Sequence, residues 1–491
     1  MSETAPKPTI TLDGKCIPFE PGDTIMRAAE RANLDSDIPR FCYHPGLPVA
    51  GTCRMCTVEI EKSPKLMTSC STPATDGMIV HTQSPKVRQS RAGVMEFLLI
   101  NHPLDCPVCD QAGECSLQNY NYEYGPGTSE FKEQKRIFEK AETKKLSERL
   151  TLNMNRCVHC ERCVRFTESV TKTNELLMNH RGWKKELTTA LEEGVFNEYQ
   201  GNIADICPVG AITFNDFRFK KRVWFLKPKE TICDGCSKGC SVFADEEKNI
   251  VHRYRARENK AVNGHWICDA GRVSFHRRQE PQRVVEPLLR PTGSTGLVAS
   301  NWLTVLPWFA KAIAEAKKIL FVLGTDTTIE EAKALQHDFP QATFRMLNGI
   351  DGINTSKDDA PVDQLLRRKD QTPNTRGLEE LGFTALDGGE TGYELAIYFK
   401  SGRAAARSKK LAAIEVAWGV WFSPEITDFT AVIPGLSHLE KRGSFTNCDG
   451  ITQSFVPAVT PLGMASSVEK VLHALNAKSR SQSKEALHVP L

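Results

Sequence analysis

NHPLDCPVCDQAGEC, residues 101–115, holds Cys106, Cys109 and Cys115 at C-x2-C-x5-C spacing. Thiols this close together point to metal, and an iron–sulfur cube takes four ligands. The next cysteine, Cys157, opens a motif of its own, and His102 stands four residues before Cys106. Whether His102 is the fourth ligand or a histidine at a helix end decides how many complete sites the N-terminal half carries, and so its architecture.

The chain has 491 residues and 17 cysteines, 16 of them before residue 269. The opening MSETAPKPTITLDG has no apolar stretch of export-signal type. The expectation is a chain that stays where it is made, in a reducing compartment where clustered thiols serve metals rather than a disulfide framework. At roughly 100–200 residues per domain, about three to five domains are expected. A net charge of +3 gives no reason to expect nucleic acid. No apolar run approaches the ~18 residues of a membrane span.

Fifteen cysteines fall into four sets. Cys42, Cys53, Cys56 and Cys70 are spaced C-x10-C-x2-C-x13-C. Four thiolates suit a [2Fe–2S] cluster, Gly51 lets the backbone approach it, and the surrounding β–helix–β pattern is that of a ferredoxin. The 101–115 stretch is the second set. Cys157, Cys160 and Cys163 in RCVHCERC, with Cys207 in ICPVGAI, form the bacterial ferredoxin arrangement with a remote Cys-Pro. Residues 199–207, YQGNIADIC, lack the mate C-x2-C-x2-C, so one cube is expected there and not two. Cys233, Cys236, Cys240 and Cys268 are spaced C-x2-C-x3-C-x27-C and can hold another cube. A tetrahedral zinc is the alternative in the first, third and fourth sets. His159 and His265 read as neighbours of ligands, and Cys16 as a packed strand residue. Sets of four, three, four and four thiols are one ligand short of four clusters, and His102 would supply it.

TITLDGKCIPF reads as a hairpin around Asp13-Gly14. PGDTIMRAAERAN reads as a helix capped by Asp23. Strands follow at TVEIE, near KLMTSC and at MIVHT, giving a small α+β unit. Residues 85–101 read as a helix ended by Pro103. FKEQKRIFEKAETKKLSER reads as a solvated linker or helix face. After a Pro/Gly-rich connector at 279–296, helix and strand patterns alternate in an α/β layer (ILFVLG, TTIEEAKALQHDF, ELAIYF, AAIEVAWG, FTAVIPG). No G-x-G-x-x-G follows a strand to open a helix, and there is no Walker A loop.

This order of motifs resembles the large iron–sulfur subunit of respiratory complex I, the 75 kDa or G subunit family of NADH–quinone oxidoreductase. The likeness is tight over 1–275 and looser through DQLLRRKDQTPNTRG and EKRGSFTNCDGITQSF. It implies a multidomain α+β and α/β chain. A β-grasp [2Fe–2S] ferredoxin domain (1–84) leads to a helical segment with a histidine-ligated [4Fe–4S] cube (85–125). A ferredoxin-like [4Fe–4S] domain (126–222), a molybdopterin-oxidoreductase-type [4Fe–4S] domain (223–278) and a truncated molybdopterin-oxidoreductase-like α/β domain (279–491) follow. It implies cluster ligation by Cys42, Cys53, Cys56 and Cys70; by His102, Cys106, Cys109 and Cys115; by Cys157, Cys160, Cys163 and Cys207; and by Cys233, Cys236, Cys240 and Cys268. The fourth cube resembles one found in some bacterial versions. Only 216 residues follow Phe275, short for a full pterin domain, so no molybdopterin is expected.

The function implied is electron relay within NADH:quinone oxidoreductase, with no substrate site on this chain. Electrons would come from a flavin subunit that oxidises NADH and leave to a downstream cluster-bearing subunit. The place implied is the peripheral arm of a membrane complex, on the cytoplasmic side of the bacterial inner membrane. The alternatives are the iron–sulfur input subunit of an NAD-linked hydrogenase or formate dehydrogenase, which would need further cysteines or a full molybdenum domain, and a zinc-bound scaffold.

Overall fold

A computed structural model describes residues 7–35, 38–138, 144–279, 283–347, 360–386, 389–400, 410–420 and 428–485. Parts of the expected connector (280–282) and of the loop-rich stretch after it (357–359) lie outside these. The chain divides into two compact units, Met1–Phe225 and Leu226–Leu491.

The first unit opens with the expected hairpin. β1 (Thr9–Leu12) pairs with β2 (Lys15–Pro18) so that Leu12 faces Lys15. The two turn residues are both left-handed, Asp13 at φ 46° and Gly14 at φ 83°, the geometry an Asp-Gly turn favours. β3 (Thr57–Ile60), β4 (Met67–Thr68) and β5 (Met78–His81) complete a sheet ordered β2-β1-β5-β3-β4, with β1 and β5 parallel. Helix α1 (Ile25–Arg31) buries Ile25, Met26, Ala28 and Ala29 among Ile10, Leu12, Ile17, Val58 and Val80. This is the mixed α/β ferredoxin arrangement expected.

Two details differ. The helix cap is Thr24, whose hydroxyl accepts from the Arg27 amide; Asp23 instead accepts from the Glu20 amide and pairs with Arg31. Cys16 points to solvent from β2 rather than packing, because the strand alternates and Ile17 takes the buried position.

α2 (Pro85–Leu99) starts at Ser84, whose side chain accepts from the Val87 amide, with Pro85 in the first turn. Its buried stripe is Val87, Arg91 and Met95. Arg91 is fully buried because its guanidinium donates to Tyr124 Oη and to the Thr57 carbonyl, both at 3.1 Å. That ties α2 to α3 (Ser116–Tyr124) and to the residue after Cys56. Beyond it β6 (Lys144–Lys145), β7 (Leu150–Leu152) and β10 (Ile212–Phe214) make a small sheet. α4 (Arg162–Ser169), the β8–β9 hairpin (Leu176–Asn179 and Glu186–Thr189) and α5 (Gln200–Asp205) complete this region.

The second unit begins with an antiparallel sheet, β11 (Lys227–Ile232), β12 (Ser241–Glu247) and β13 (Ile250–Ala256). The short helix α6 (Asp269–Arg272) follows. Its larger layer has eight strands: β14 (Leu288–Leu289), β15 (Val298–Ala299), β16 (Ile319–Leu323), β17 (Thr343–Met346), β18 (Thr384–Ala385), β19 (Tyr393–Lys400), β20 (Ala412–Gly419) and β21 (Ala431–Pro434). The order is β15-β14-β21-β20-β19-β16-β17-β18, and β16 to β21 are mutually parallel. All five residues of β16 are buried, as a parallel strand covered on both faces requires. Helix α7 (Trp302–Glu315) precedes β16, and α8 (Ile329–Asp338) follows it behind a Thr328–Glu331 capping box.

Candidate metal centres

The first set stands as two thiol pairs. Cys42 is hydrogen-bonded to Cys53, and Cys56 to Cys70, with a further bond from Cys70 to Cys42. The bonds from Cys53 and Cys70 push Cys42 down against its burial, and the bond from Cys70 brings Cys56 to about 7. Cys53 and Cys70, the donors, are pushed up. Amides of Cys53, Met55 and Cys70 point at sulfurs of Cys42, Cys53 and Cys56. The left-handed Gly51 (φ 66°) and Arg54 (φ 57°) bend the loop that aims them. Two pairs of sulfurs match the two irons of a [2Fe–2S] cluster.

The third set lines an enclosed cavity. Cys157, Cys160, Cys163 and Cys207 face a small cavity of about 20 Å³, walled by Met178, Leu187, Val209, Ala211 and Ile212. Burial pushes Cys157 up to about 12 and Cys160 to about 11, and holds Cys163 well above its ordinary value. Amides of His159, Arg162, Val164 and Val209 point at the four sulfurs in turn. The left-handed His159 (φ 53°) and Glu161 (φ 57°) turn the loop so that they can. Four thiols, Cys160 buried and the other three half-buried, with amide donors, fit a cluster whose irons supply the missing positive charge. His159 Nε2 meets the Lys185 carbonyl at 2.9 Å, which gives the ring a structural partner.

In the second set, α2 ends at Leu99, and Lys135 Nζ donates to the carbonyls of Leu99 (2.8 Å), Ile100 (3.2 Å) and His102 (2.9 Å). Lys135 thus closes the helix and fixes the backbone of His102. The stretch read as a solvated linker is in this part an anchor. Burial, then Lys135 and Arg156, push the His102 ring down to about 4, so it is neutral, the form that ligates metal. Cys115 stands at the N-cap position of α3 without a side-chain capping bond, and burial raises its thiol against the nearby amides of Gln118 and Leu117. Cys106 is exposed and Cys109 half-buried. The charged groups around the His102 ring are Lys135, Arg156 and Asp105, while the three cysteines neighbour one another. Among the described residues no three His, Cys, Asp or Glu side chains meet as a ready-made single-ion site.

The fourth set lies in the second unit. The Cys233 amide donates to the Cys240 carbonyl at 2.8 Å, closing the loop between them. Amides of Gly235 and Gly271 approach Cys233 and Cys268 Sγ at 3.4 Å each. A Cβ on Gly271 would lie 2.9 Å from Cys233 Sγ and 3.4 Å from Cys268 Sγ, so this position backs two sulfurs. Burial raises Cys233, Cys240 and Cys268. Ser237 bonds the Asp370 carbonyl through its amide and accepts from the Cys448 amide through its own carbonyl. His265 pairs with Glu258 at 3.7 Å.

The second and third sets interlock. A Cβ on Gly210, in the ICPVGAI stretch, would fall 2.2 Å from Cys109 Sγ. The Ser116 amide, next to Cys115, donates to the Pro208 carbonyl, next to Cys207 (3.0 Å). Asp105 and Arg156, which precede the first cysteines of the two sets, form an ion pair at 2.9 Å. Tyr120 of α3 reaches the first set, stacking edge-on to Phe41 and accepting from the Arg40 amide at 3.2 Å. Sequence reading missed Lys135, Arg156 and Asp105. The only signal available was a charged residue directly preceding a first cysteine, which is common at any surface.

Three family models match the first unit. Residues 6–85 match a 2Fe-2S iron-sulfur cluster binding domain, and 91–130 the NADH-ubiquinone oxidoreductase-G iron-sulfur binding region. Residues 147–213 match the ferredoxin-like domain of NADH-quinone oxidoreductase subunit 3. The G subunit of NADH-quinone oxidoreductase from Rickettsia bellii is 37% identical over 412 residues, 82% of this chain and 58% of that protein. The Rickettsia conorii protein of the same name is 40% identical over 65% of this chain and 47% of its own length. The mitochondrial NADH dehydrogenase [ubiquinone] iron-sulfur protein 1 of Solanum tuberosum is 40% identical over 67% and 44%. The chain thus spans about half the length of the curated relatives it matches. Among solved structures, a chain of an NAD+-reducing [NiFe]-hydrogenase is 30% identical over 44% of this chain and 91% of its own, at a TM-score of 0.38.

Proposed function

As a member of the G subunit family of NADH-quinone oxidoreductase, this chain, we propose, relays electrons from an NADH-oxidising flavin subunit to a downstream cluster-bearing subunit, and so toward quinone. The ligands proposed are Cys42, Cys53, Cys56 and Cys70 for a [2Fe–2S] cluster, and His102, Cys106, Cys109 and Cys115 for a cube with one imidazole. Cys157, Cys160, Cys163 and Cys207 would hold a second cube, and Cys233, Cys236, Cys240 and Cys268 a third. When bound, such clusters supply one-electron storage and transfer at potentials set by ligands, hydrogen bonds and burial. The chain's own residues do the rest. Amides orient the sulfurs, Lys135 fixes the His102 backbone, and the apolar walls around Cys157 exclude water. The place proposed is the peripheral arm of a membrane complex, on the cytoplasmic side of a bacterial inner membrane; no helix among the described residues is long and apolar enough to cross a membrane. The C-terminal α/β layer is proposed as a shortened molybdopterin-oxidoreductase-like domain without pterin.

The observation that carries the relay reading is the interlock of neighbouring sets, with Cys109 Sγ against Gly210 and Ser116 bonded to Pro208. Sites that only staple a fold have no need to share walls. Metal analysis with EPR of the reduced chain tests it. Four clusters imply about 14 Fe per chain, and zinc with little iron would sink the reading. His102→Ala is expected to assemble the second-set cube poorly, whereas His102→Cys assembles it at a shifted potential. An unchanged signal in His102→Ala would remove His102 from the ligands.

A further inference from the structure

The side chains that join the first and third sets are two arginines on one face of α4. Arg162 and Arg165 flank Cys163 three residues apart, so both point the same way. Arg165 is 9% exposed, and its guanidinium donates to three carbonyls, those of Pro48, Cys42 and Cys160. Two of these belong to candidate ligands, one in each set. Arg162 repeats the pattern one turn away. It donates to the Tyr43 carbonyl at 2.6 Å and the Ile206 carbonyl at 3.1 Å, each adjoining a ligand cysteine, Cys42 and Cys207. None of these acceptors is a carboxylate, so a buried charge on Arg165 and a half-buried one on Arg162 face neutral dipoles. Burial of that kind is costly unless something anionic lies close by. The anionic candidates are the sulfurs, which become thiolates when they hold metal: Cys160 and Cys207 neighbour Arg162, beside Tyr120 and the like-charged Arg40.

We propose that Arg165 and Arg162 form a two-guanidinium clamp that fixes the separation of the first and third ligand sets and raises the reduction potentials of the clusters they hold. This rests on the reading that both sets bind iron–sulfur clusters. The planar fork suits the task, because one guanidinium donates to carbonyls of two different loops at once, which an ammonium cannot do in the same geometry. The positive charge favours the more negative, reduced state of a nearby cluster in a low-dielectric site. Both arginines are neighbours of Cys160, whereas contact with the first set is through backbone, so the third set should feel the charge more.

The test uses the full chain loaded with iron and sulfide, as wild type, Arg165→Gln, Arg165→Lys and Arg162→Lys. Iron content, EPR-monitored redox titration and the inter-centre distance from pulsed EPR are the readouts. In Arg165→Gln both potentials are expected to shift down, the third set by more, and the distance distribution to broaden. In Arg165→Lys the charge is kept, so potentials return toward wild type while the distribution stays broad; Arg162→Lys broadens it too, should the glutamine variant fail to fold. Potentials and distances that stay put while thermal stability falls would make the arginines packing residues only, and overturn the clamp. Little iron in the wild type would overturn the underlying cluster reading, and that result is visible before any variant is compared.

Discussion

Gly210 in the first unit and Gly271 in the second both lie against candidate ligand sulfurs, but they join different things. Gly210 belongs to the loop that carries Cys207, yet the sulfur it touches is Cys109, from another set. Gly271 belongs to the helix that follows Cys268, and it touches Cys233 and Cys268, both of its own set. The same contrast runs through the polar contacts. Asp105 with Arg156, and Ser116 with Pro208, link one set to the next. Within the described residues of the second unit, the fourth set is held by loops that bring no other candidate ligand set with them, through Asp370 and the backbone of Cys448. Shared walls suit transfer between sites, whereas a self-contained site suits the stabilising of a domain.

Alanine at the two glycines is the strongest way to break that comparison. In Gly210→Ala the new methyl meets Cys109 Sγ at 2.2 Å, and in the loaded chain a ligand sulfur cannot give way. The expectation is loss of the second-set cube, about 4 of about 14 Fe, with a perturbed EPR signal from the third set as well. In Gly271→Ala the nearest approach is 2.9 Å, so the fourth set alone should lose part of its iron and every first-unit signal should stay. If Gly271→Ala disturbed the other sets, or Gly210→Ala disturbed only one, the contrast would be wrong.

Much of this was legible in the chain. Thiol spacing is local information, and so are the Asp13-Gly14 turn and the helices read over 85–101 and at TTIEEAKALQHDF. What stayed hidden depends on partners far away in sequence. Arg91 sits on the apolar stripe of α2 because Tyr124 and Thr57 meet its guanidinium, and nothing within 85–101 announces them. Lys135 lies in a charge run that reads as solvated, and only the end of α2, more than thirty residues earlier, gives it acceptors. The order of the eight-stranded sheet is likewise long-range. Strands β16 and β19 are neighbours although two other strands separate them in sequence.

Lys135 sharpens the comparison at smaller cost. Lys135→Met removes three hydrogen bonds from a charged donor, and bonds of that kind contribute about 1.5–3 kcal/mol each at most, with a net loss of about 1–3 kcal/mol for a partly exposed group. The first unit should melt earlier and the second-set EPR line should broaden, since the His102 backbone is no longer fixed. The fourth-set signal should not move. A second-set line identical to wild type would mean that the histidine is held by other contacts.

The smallest expected effect belongs to the second unit, in the strand that begins directly after Cys240. Asp245 on β12 is buried. Burial alone would raise its carboxyl, but bonds from Arg255 (2.7 and 2.9 Å) and Arg253 (2.7 Å) outweigh it and hold the group below its ordinary value. With the folded value depressed, the unfolded chain binds more protons in the window between the two values, so stability rises with pH there. The contribution is complete above the unfolded value, near 3.9 for an aspartate, and fades as the pH falls through the lower folded value. Thermal melts of the metal-free chain between pH 5 and about 3 should show a shallow acid-side loss from this group. Asp245→Asn should be less stable near neutrality, where it leaves two arginines without their anion, and its acid-side slope should be flatter. An unaltered slope in the variant would place the acid sensitivity elsewhere.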